Sequence, residues 1–311
     1  MAHPLTQTIT WVALSMIKGL GPKGGLSLAE RWAQEPSDQP PVCVDPLEWS
    51  TALKSAEGVL SRCVALEILA LSYTDERYPP LLRLTPRPPL VLYLQGALPQ
   101  QVPQLACVGT RAPTPWGRAC ASEVAKVAVE EGYGVTSGLA LGVDGCGHEA
   151  CLSAGGRTWA VLGSGHEQLS PRQHLRLAER ILVGGGGVLS EYPPHTPLHP
   201  GQLVARDRLQ SGLSLATLVV ESGEGGGALH AARASLRQGR ALWVPRSPAQ
   251  LHAHPKHAGL AQLRAEGAQR LADPSALRVA LTQLRDSHTL LHQEGLKRRT
   301  ALWSPLRPRL L

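Results

Sequence analysis

Five short apolar runs in this chain each end in a small or glycine-rich turn that leads into a stretch with helical spacing. The runs with their turns are LACVGTRA (105–112), GVTSGLALGVD (134–144), TWAVLGSG (158–165), GVLSEYPP (187–194) and ATLVVESGEGGG (216–227). A repeated strand–turn–helix pattern is typical of a parallel sheet, in which every turn falls at the carboxyl end of a strand. Helix N-termini and backbone N–H groups collect at that edge, so the pattern predicts a surface suited to phosphate groups.

Other segments precede this core. Apolar stretches with helical spacing near residues 9–17, 26–34 and 52–72 predict a small helical domain over residues 1–72. Seven prolines between residues 79 and 103 exclude a helix from residues 73–104. We expect that segment to be an ordered connector with an edge strand at residues 91–94.

The core itself is predicted to span residues 105–285 as an α/β domain. Its helices are expected near residues 116–132, 143–154, 171–183, 204–213, 227–238 and 274–288, and a further strand at 241–245. Residues 286–311 are basic and interrupted by proline, and they are too few for another domain. We expect them to form a basic tail.

Composition favours an anionic partner without identifying it. The chain of 311 residues carries a net charge of +7, and only six of its 31 basic residues are lysine. Guanidinium groups suit bidentate contacts with phosphate, although an arginine-rich composition is equally expected from a GC-rich genome. Phenylalanine is absent, which excludes a binding surface built on phenylalanine stacking.

Cysteine usage and hydropathy predict a cytoplasmic protein. The six cysteines form no C-x-x-C pair, so we expect them to be reduced. Cys146, His148 and Cys151 are close in sequence but lack a fourth ligand, and no metal is predicted. The sequence shows no leader peptide and no apolar stretch approaching about 20 residues, so neither export nor a membrane span is expected.

The candidate functional residues follow the predicted strands. Arg111 comes directly after the first strand, where its guanidinium could clamp a phosphate beside the backbone of Gly109, or pair with Glu191. At the end of the second strand, Asp144 and His148 would share a helix face. They suit acid–base chemistry or, as we prefer, a helix cap by Asp144 and a hydrogen bond from His148 to a neighbouring loop.

Two later segments add further candidates. Residues 163–165 (GSG) form another turn rich in backbone N–H groups, with no base positioned as in a hydrolase elbow. Arg206 and Arg208 flank Asp207 at a helix start, where both arginines could contact phosphates or one could bind carbonyl groups inside the fold. We expect the two arginines to divide these roles. Glu221 ends the fifth strand, before glycines that could cradle an anion.

An ordered set of motifs resembles the DprA/Smf family of bacterial DNA-processing proteins. The motifs are W-x2-L…GLGP, YPPLLR-x8-L-x-G, VGTR, SGLALGVD-x3-H, AVLGSG, SEYPP, R-x-R-x5-LS, VVE and QGR, which together cover residues 9–285. The resemblance implies an extended Rossmann-like core with an N-terminal SAM-like helical module. It also implies binding of single-stranded DNA without sequence specificity, protection of incoming strands, loading of RecA recombinase during natural transformation, and a homodimer.

By motif position, the resemblance assigns a set of DNA-binding residues. They are Gly109, Arg111, Ser137, Gly138, Gly163, Ser164, Gly165, Arg172, Arg206 and Arg208. The chain departs from the family pattern in Asp207, where asparagine is usual, in His174 and Leu175, and in Leu203, where an aromatic residue is usual. The C-terminal winged helix of many members is not expected here.

Two other function classes remain open. A nucleotide-processing enzyme resembling nucleoside-monophosphate phosphoribohydrolases would need a catalytic glutamate on the helix after residues 225–227. That helix carries only His230 and Arg233 as candidates. A scaffold acting through RecA alone would leave the basic strand-end crevice unexplained. We therefore predict a binding protein with no catalytic residues and no cofactor.

Overall fold

The computed structural model describes residues 7–34 and 44–303. The helices are α1 (Thr8–Met16), α2 (Gly21–Gln34), α3 (Pro46–Ala65), α4 (Pro80–Arg83), α5 (Pro115–Glu130), α6 (Val143–Ser153), α7 (Leu175–Val183), α8 (Pro200–Leu213), α9 (Ala228–Arg237), α10 (Ala258–Ala265) and α11 (Pro274–Trp303). The strands are β1 (Leu69–Ser72), β2 (Val91–Gly96), β3 (Gln104–Val108), β4 (Gly134–Ser137), β5 (Thr158–Leu162), β6 (Gly187–Ser190), β7 (Ala216–Val219), β8 (Ala241–Pro245) and β9 (Gln269–Leu271).

All nine strands form one sheet, in the order β1-β2-β6-β5-β4-β3-β7-β8-β9. Strands β3 to β9 run parallel to one another, whereas β2 is antiparallel to both of its neighbours, β1 and β6. The prediction of an α/β core on a mostly parallel sheet is therefore confirmed. Successive strands move away from β3 on one side as far as β6, and the chain then returns to place β7 on the other side of β3. A doubly wound sheet opens a crevice at such a reversal point, beyond the carboxyl ends of the strands.

The central strands are apolar along their whole length because helices cover both faces of the sheet. Every residue of β3 and β5 is buried, including Trp159. Strands covered on both faces lose the alternation of polar and apolar residues, which explains why the sequence shows continuous apolar runs. Local capping fixes where α5 begins, since the Thr114 hydroxyl accepts a hydrogen bond from the Gly117 amide and Pro115 occupies the first helical turn.

The antiparallel end of the sheet differs from the sequence prediction. Residues 69–72 form β1, not the end of a helix, because α3 stops at Ala65 and Glu67 adopts a positive φ of 54°. An apolar run such as ILALS fits either periodicity, so its pattern alone does not separate strand from helix. The predicted edge strand at residues 91–94 is an inner strand, β2, paired on both sides. The exclusion of helix from residues 73–104 is wrong as well, because the short helix α4 begins at Pro80, a position in the first turn where proline is tolerated. The helices α1 and α3 pack on this end and share its core, which includes Trp11, Leu71 and Leu92.

The C-terminal segment also differs from the prediction. The last predicted helix continues to Trp303, so residues 286–303 are helical and not a tail; residues 304–311 lie outside the described residues. Arg285 donates to the Glu131 carbonyl and Arg298 to the Arg83 carbonyl, which holds α11 against α5 and α4. The sequence analysis also missed β9 and α10. The domain boundaries themselves stay a prediction.

The structure adds three observations on the compartment and metal predictions. The five described cysteines are free thiols, and Cys43 lies outside the described residues. No helix within residues 7–34 and 44–303 is long and apolar enough to cross a membrane. Over the same two ranges, no group of three or more His, Cys, Asp and Glu side chains is arranged to hold a metal ion.

Candidate functional site

A cleft of about 490 Å³ opens where β3 and β7 end side by side, at the reversal point of the sheet. One wall comes from residues 108–111 at the end of β3, together with Ala140 and Asp144. Residues of α8, of the glycine-rich loop between β7 and α9, and of the start of α9 complete it. They are Pro200, Leu203, Val204, Arg206, Asp207, Gln210, Ser222, Gly223, Gly226, Gly227, Ala228, His230 and Ala231. The strand-end edge expected from the sequence is thus a real concavity. We call it the switch-point cleft.

Arg111 is an unpaired cation at the rim of the switch-point cleft. Its side chain is exposed, and among the described residues it makes no hydrogen bond or ion pair. The alternative pairing with Glu191 is wrong, since both carboxylate oxygens of Glu191 accept from Arg208, at 2.6 and 2.8 Å. Arg111 is therefore free to contact an anion entering the cleft.

Arg206 supplies a second cation from inside the cleft. The residue is only 4% exposed, and its guanidinium lies where a Cβ of Gly138 would stand. Its Nε is buried and has no hydrogen-bond partner among the described residues; the nearest carboxylate oxygen, Oδ1 of Asp207, is 3.5 Å away. Asp207 therefore forms an ion pair with Arg206 without a hydrogen bond to its Nε, and an anion in the cleft would compete with this carboxylate for the guanidinium.

Asp207 places a carboxyl group beside these arginines. Its side chain is 14% exposed and its Oδ1 accepts a hydrogen bond of 2.9 Å from Gln210 Nε2. Burial raises the pKa of Asp207 to about 7, although the charge of Arg206 acts in the opposite direction. Near neutral pH, both the charged and the neutral form of this carboxyl are therefore populated.

Asp144 and His148 have structural roles, but these differ from the helix cap and the loop contact that we preferred, since His148 contacts the first residue of β5 and its Nε2 has no partner among the described residues. Asp144 does not cap its helix; its Oδ2 accepts from the amides of Gly138 and Ala140, at 3.0 and 3.3 Å, and so fixes the loop after β4. His148 is fully buried, with its Nδ1 2.7 Å from the Thr158 hydroxyl. Burial lowers the pKa of His148 to about 3, so it stays neutral and does not form an acid–base pair with Asp144.

The serine and glycine positions that the resemblance assigns to DNA are engaged inside the fold. Ser137 is fully buried and donates to the Cys107 carbonyl at 2.6 Å. Ser164 donates to the Gln168 carbonyl, and a Cβ at Gly165 would overlap the carbonyls of residues 193 and 194. Gly163 packs under Leu203, which does line the cleft. These residues shape the strand ends, and their direct contact with DNA stays a prediction.

The two arginines around Asp207 divide their roles, as expected. Arg206 faces the switch-point cleft, whereas Arg208 turns away from it to bind Glu191 and the carbonyls of Arg87 and Ala205. Arg208 also lines a separate cleft of about 370 Å³ that includes Gly21 and Pro22 of the GLGP motif. Arg172 is exposed on a 3₁₀ turn outside the lining of the switch-point cleft, and its role stays a prediction.

A buried network behind the cleft was not predicted from the sequence. Glu221 is fully buried and accepts from the Thr114 amide (2.9 Å), the Thr114 hydroxyl (2.5 Å) and His257 Nε2 (3.0 Å). It therefore ties the start of α5, and with it the loop that carries Arg111, to the end of β7. Thr114 is 107 residues away in sequence, so no local pattern could have indicated this contact.

Comparison with known proteins gives consistent results. A family model described as DNA recombination-mediator protein A matches residues 70–282. Protein Smf of Synechocystis sp. is 33% identical over 263 residues, which are 78% of this chain and 66% of that protein. Protein Smf of Escherichia coli is 39% identical over 175 residues (56% of this chain, 47% of that protein), and DNA processing protein DprA of Bacillus subtilis is 34% identical over 179 (57% and 60%). The chain thus spans about half to two thirds of these relatives.

Two solved structures share the fold. DprA of Streptococcus pneumoniae superposes with a TM-score of 0.76 at 24% identity, covering 87% of this chain and 96% of that one. DNA processing protein A of Helicobacter pylori, described by its single-stranded DNA binding mode, superposes with a TM-score of 0.62 at 23% identity and covers 70% and 96% of the two chains. At these identities the superpositions establish a common fold and leave the function of the cleft to be argued from its own residues.

Proposed function

The chain belongs to the DNA recombination-mediator protein A family, and on that premise we propose that it binds single-stranded DNA, with the phosphate backbone in the switch-point cleft. The observation that carries this proposal is the pair of arginines that line this cleft. Arg111 makes no hydrogen bond or ion pair among the described residues, and the guanidinium of Arg206 reaches the cleft from α8, with its Nε 3.5 Å from Asp207 Oδ1. The cleft lies at the carboxyl ends of parallel strands, where oriented N–H groups also favour anions.

The proposed mechanism is electrostatic. Arginine side chains and loop amides replace the counterions of consecutive phosphates, and the release of those counterions drives binding. A single strand is preferred because its flexible backbone can follow a cleft between loops, which a stiff duplex cannot enter. Sequence matters little, since phosphate contacts carry no base information. Leu203 and Val204 add an apolar wall beside the phosphates, where unpaired bases can rest.

The role after binding is proposed from the family resemblance. The bound strand would be protected and passed to RecA recombinase, in the cytoplasm and by a homodimer, which agrees with a family described as recombination mediators. The test is RecA-dependent strand exchange with and without the protein, together with sedimentation of the free protein. Faster exchange at substoichiometric protein supports loading. No effect on exchange despite strong DNA binding would contradict it.

Arg111→Ala tests the site. We expect binding of a labelled single strand, measured by fluorescence anisotropy at several salt concentrations, to weaken about tenfold, because one charge-assisted contact is lost. The slope of log Kd against log salt should fall by about 0.7. Arg237→Ala is the matched control, since Arg237 is equally cationic and exposed but lies outside the cleft lining.

The same DNA titration distinguishes the proposed function from its alternatives. Equal weakening by both arginine variants, or equal binding of single and double strands, would place the DNA elsewhere on the molecule. Absence of DNA binding, combined with release of base from a nucleoside monophosphate, would favour the nucleotide-processing enzyme instead.

A further inference from the structure

A carboxyl group stands where the proposed function requires an anion to bind. Asp207 lines the switch-point cleft together with Arg206 and Arg111, and its Oδ1 is 3.5 Å from the Nε of Arg206. An ionised Asp207 would both occupy the nearest cation and repel a phosphate. In a partly buried cleft, that repulsion is poorly screened by salt.

We propose that Asp207 couples anion binding in the switch-point cleft to the uptake of one proton, so that the cleft holds a phosphodiester strand tightly when this carboxyl is neutral and weakly when it is ionised. The inference rests on the proposed function, because it takes the strand to be the anion. Once protonated, Asp207 also gains an O–H donor, which can be directed at a phosphate oxygen.

Among the charged and titratable groups near Asp207, Asp207 itself is the group that we expect to take up the proton on binding. The other groups are Arg206 on its own helix, Arg111 on the loop after β3, Asp144 on α6 and His230 on α9. The two arginines keep their charge at any physiological pH. Burial raises the pKa of Asp144 as well, but two backbone amides and the charge of Arg206 act in the opposite direction. Asp207 accepts a single neutral hydrogen bond, from Gln210, so its charged form is the less supported of the two carboxylates.

Burial raises the pKa of Asp207 to about 7, so this carboxyl changes its charge within the physiological range. If only the neutral form accommodates the strand, linkage makes the apparent Kd about tenfold weaker at pH 8 than at pH 6. A mere structural role for Asp207 would give no such dependence.

The test measures Kd at about pH 6, 7 and 8 and constant ionic strength for the whole protein with an oligothymidylate of about 20 nucleotides without terminal phosphates. Internal phosphodiesters keep a constant charge over this range, so any pH dependence belongs to the protein. The variants are Asp207→Asn, which has the same shape without the charge, and His230→Gln, which removes the histidine that lines the cleft. Calorimetry in two buffers of different ionisation enthalpy counts the protons taken up by the unmodified protein, independently of any variant.

The proposal expects about tenfold weakening from pH 6 to pH 8, uptake of a proton on binding at pH 7, loss of most of this dependence in Asp207→Asn, and its retention in His230→Gln. Identical pH profiles for the unmodified protein and Asp207→Asn, with no proton uptake, would overturn the inference and leave the proposed function standing. Loss of the dependence in His230→Gln would assign the proton to the histidine. Absence of binding at every pH would overturn both.

Discussion

Gly138 has no side chain, and the space that a Cβ would fill is occupied by the guanidinium of Arg206. The glycine thereby lets a buried arginine reach the cleft. Its amide also donates to Asp144, so this single residue connects the loop after β4 with α6 through Asp144 and contacts α8 through Arg206. Gly138 is thus a positioning residue, which acts on a bound anion through Arg206.

Gly138→Ala should displace Arg206 while leaving the charge of the cleft unchanged. We expect single-strand binding to weaken about tenfold and the free energy of unfolding to fall by about 1–3 kcal/mol, because overpacking a filled site forces its neighbours to shift. Anisotropy and urea unfolding measure the two effects. Binding as tight as that of the unmodified protein would show that Arg206 does not contact the strand.

The sequence located the cleft residues better than it described their contacts. Arg111 and Arg206 were expected at the strand ends, because a parallel sheet brings all such ends to one edge. Ser137 and Ser164 were also placed there correctly, but their hydroxyls bind carbonyl groups of the fold. The sequence does not reveal whether a small polar side chain hydrogen-bonds to the backbone or faces a ligand, because its hydrogen-bond partner is determined by the folded structure.

At the scale of elements, α11 shows how a tertiary contact overrides local pattern. Basic residues and prolines toward the end of the chain suggested a tail, yet the helix continues to Trp303 and passes over α4. Gly295 allows this close approach, since a Cβ at that position would overlap the Pro80 carbonyl. The predicted helices of the core agree well with the observed ones because their apolar faces are set by burial on the sheet. The end of α11 depends instead on contacts across more than 200 residues, with Pro80, Arg83 and Glu76.

Two identical substitutions should have opposite effects on stability. Gly295→Ala should lower the free energy of unfolding by about 1–3 kcal/mol and open the end of α11 to proteolysis, because its methyl group collides with the Pro80 carbonyl. Gly58→Ala, in the middle of α3 with open space around its Cβ, should raise the free energy of unfolding by about 0.5–1 kcal/mol. Urea unfolding and limited trypsin digestion compare the two variants. Equal stabilisation by both would contradict the docking of α11 on α4.

At the scale of the whole molecule, the buried titratable groups act in opposite directions on stability. Burial lowers the pKa of His148 to about 3, so the folded state resists a proton that the unfolded chain accepts near pH 6.5. The contribution of the neutral, buried His148 to the free energy of unfolding is complete above that pH and is lost as the pH falls toward 3. Burial raises the pKa of Asp207 from 3.8 to about 7, so the folded state loses stability as the pH rises from about 4 to about 7, the range over which only the unfolded chain has released this proton.

His148→Gln should make the protein less sensitive to acid. Between pH 7 and pH 5, we expect the loss of unfolding free energy to be smaller in the variant by about 2 kcal/mol, because glutamine takes up no proton in the unfolded chain. Urea unfolding at the two pH values measures this difference. His195→Gln, an exposed position, is the control and should leave the acid sensitivity unchanged. Equal sensitivity in all three proteins would contradict a neutral buried His148.

The reversal of the chain between β6 and β7 has a consequence for biosynthesis. One wall of the cleft is made about 110 residues before the other, and Glu221 links them only after β7 has been inserted beside β3. Contacts so distant in sequence form late in folding. Under the proposed function, a growing chain therefore has no complete site for a phosphate backbone until β7 and the loop after it have been translated.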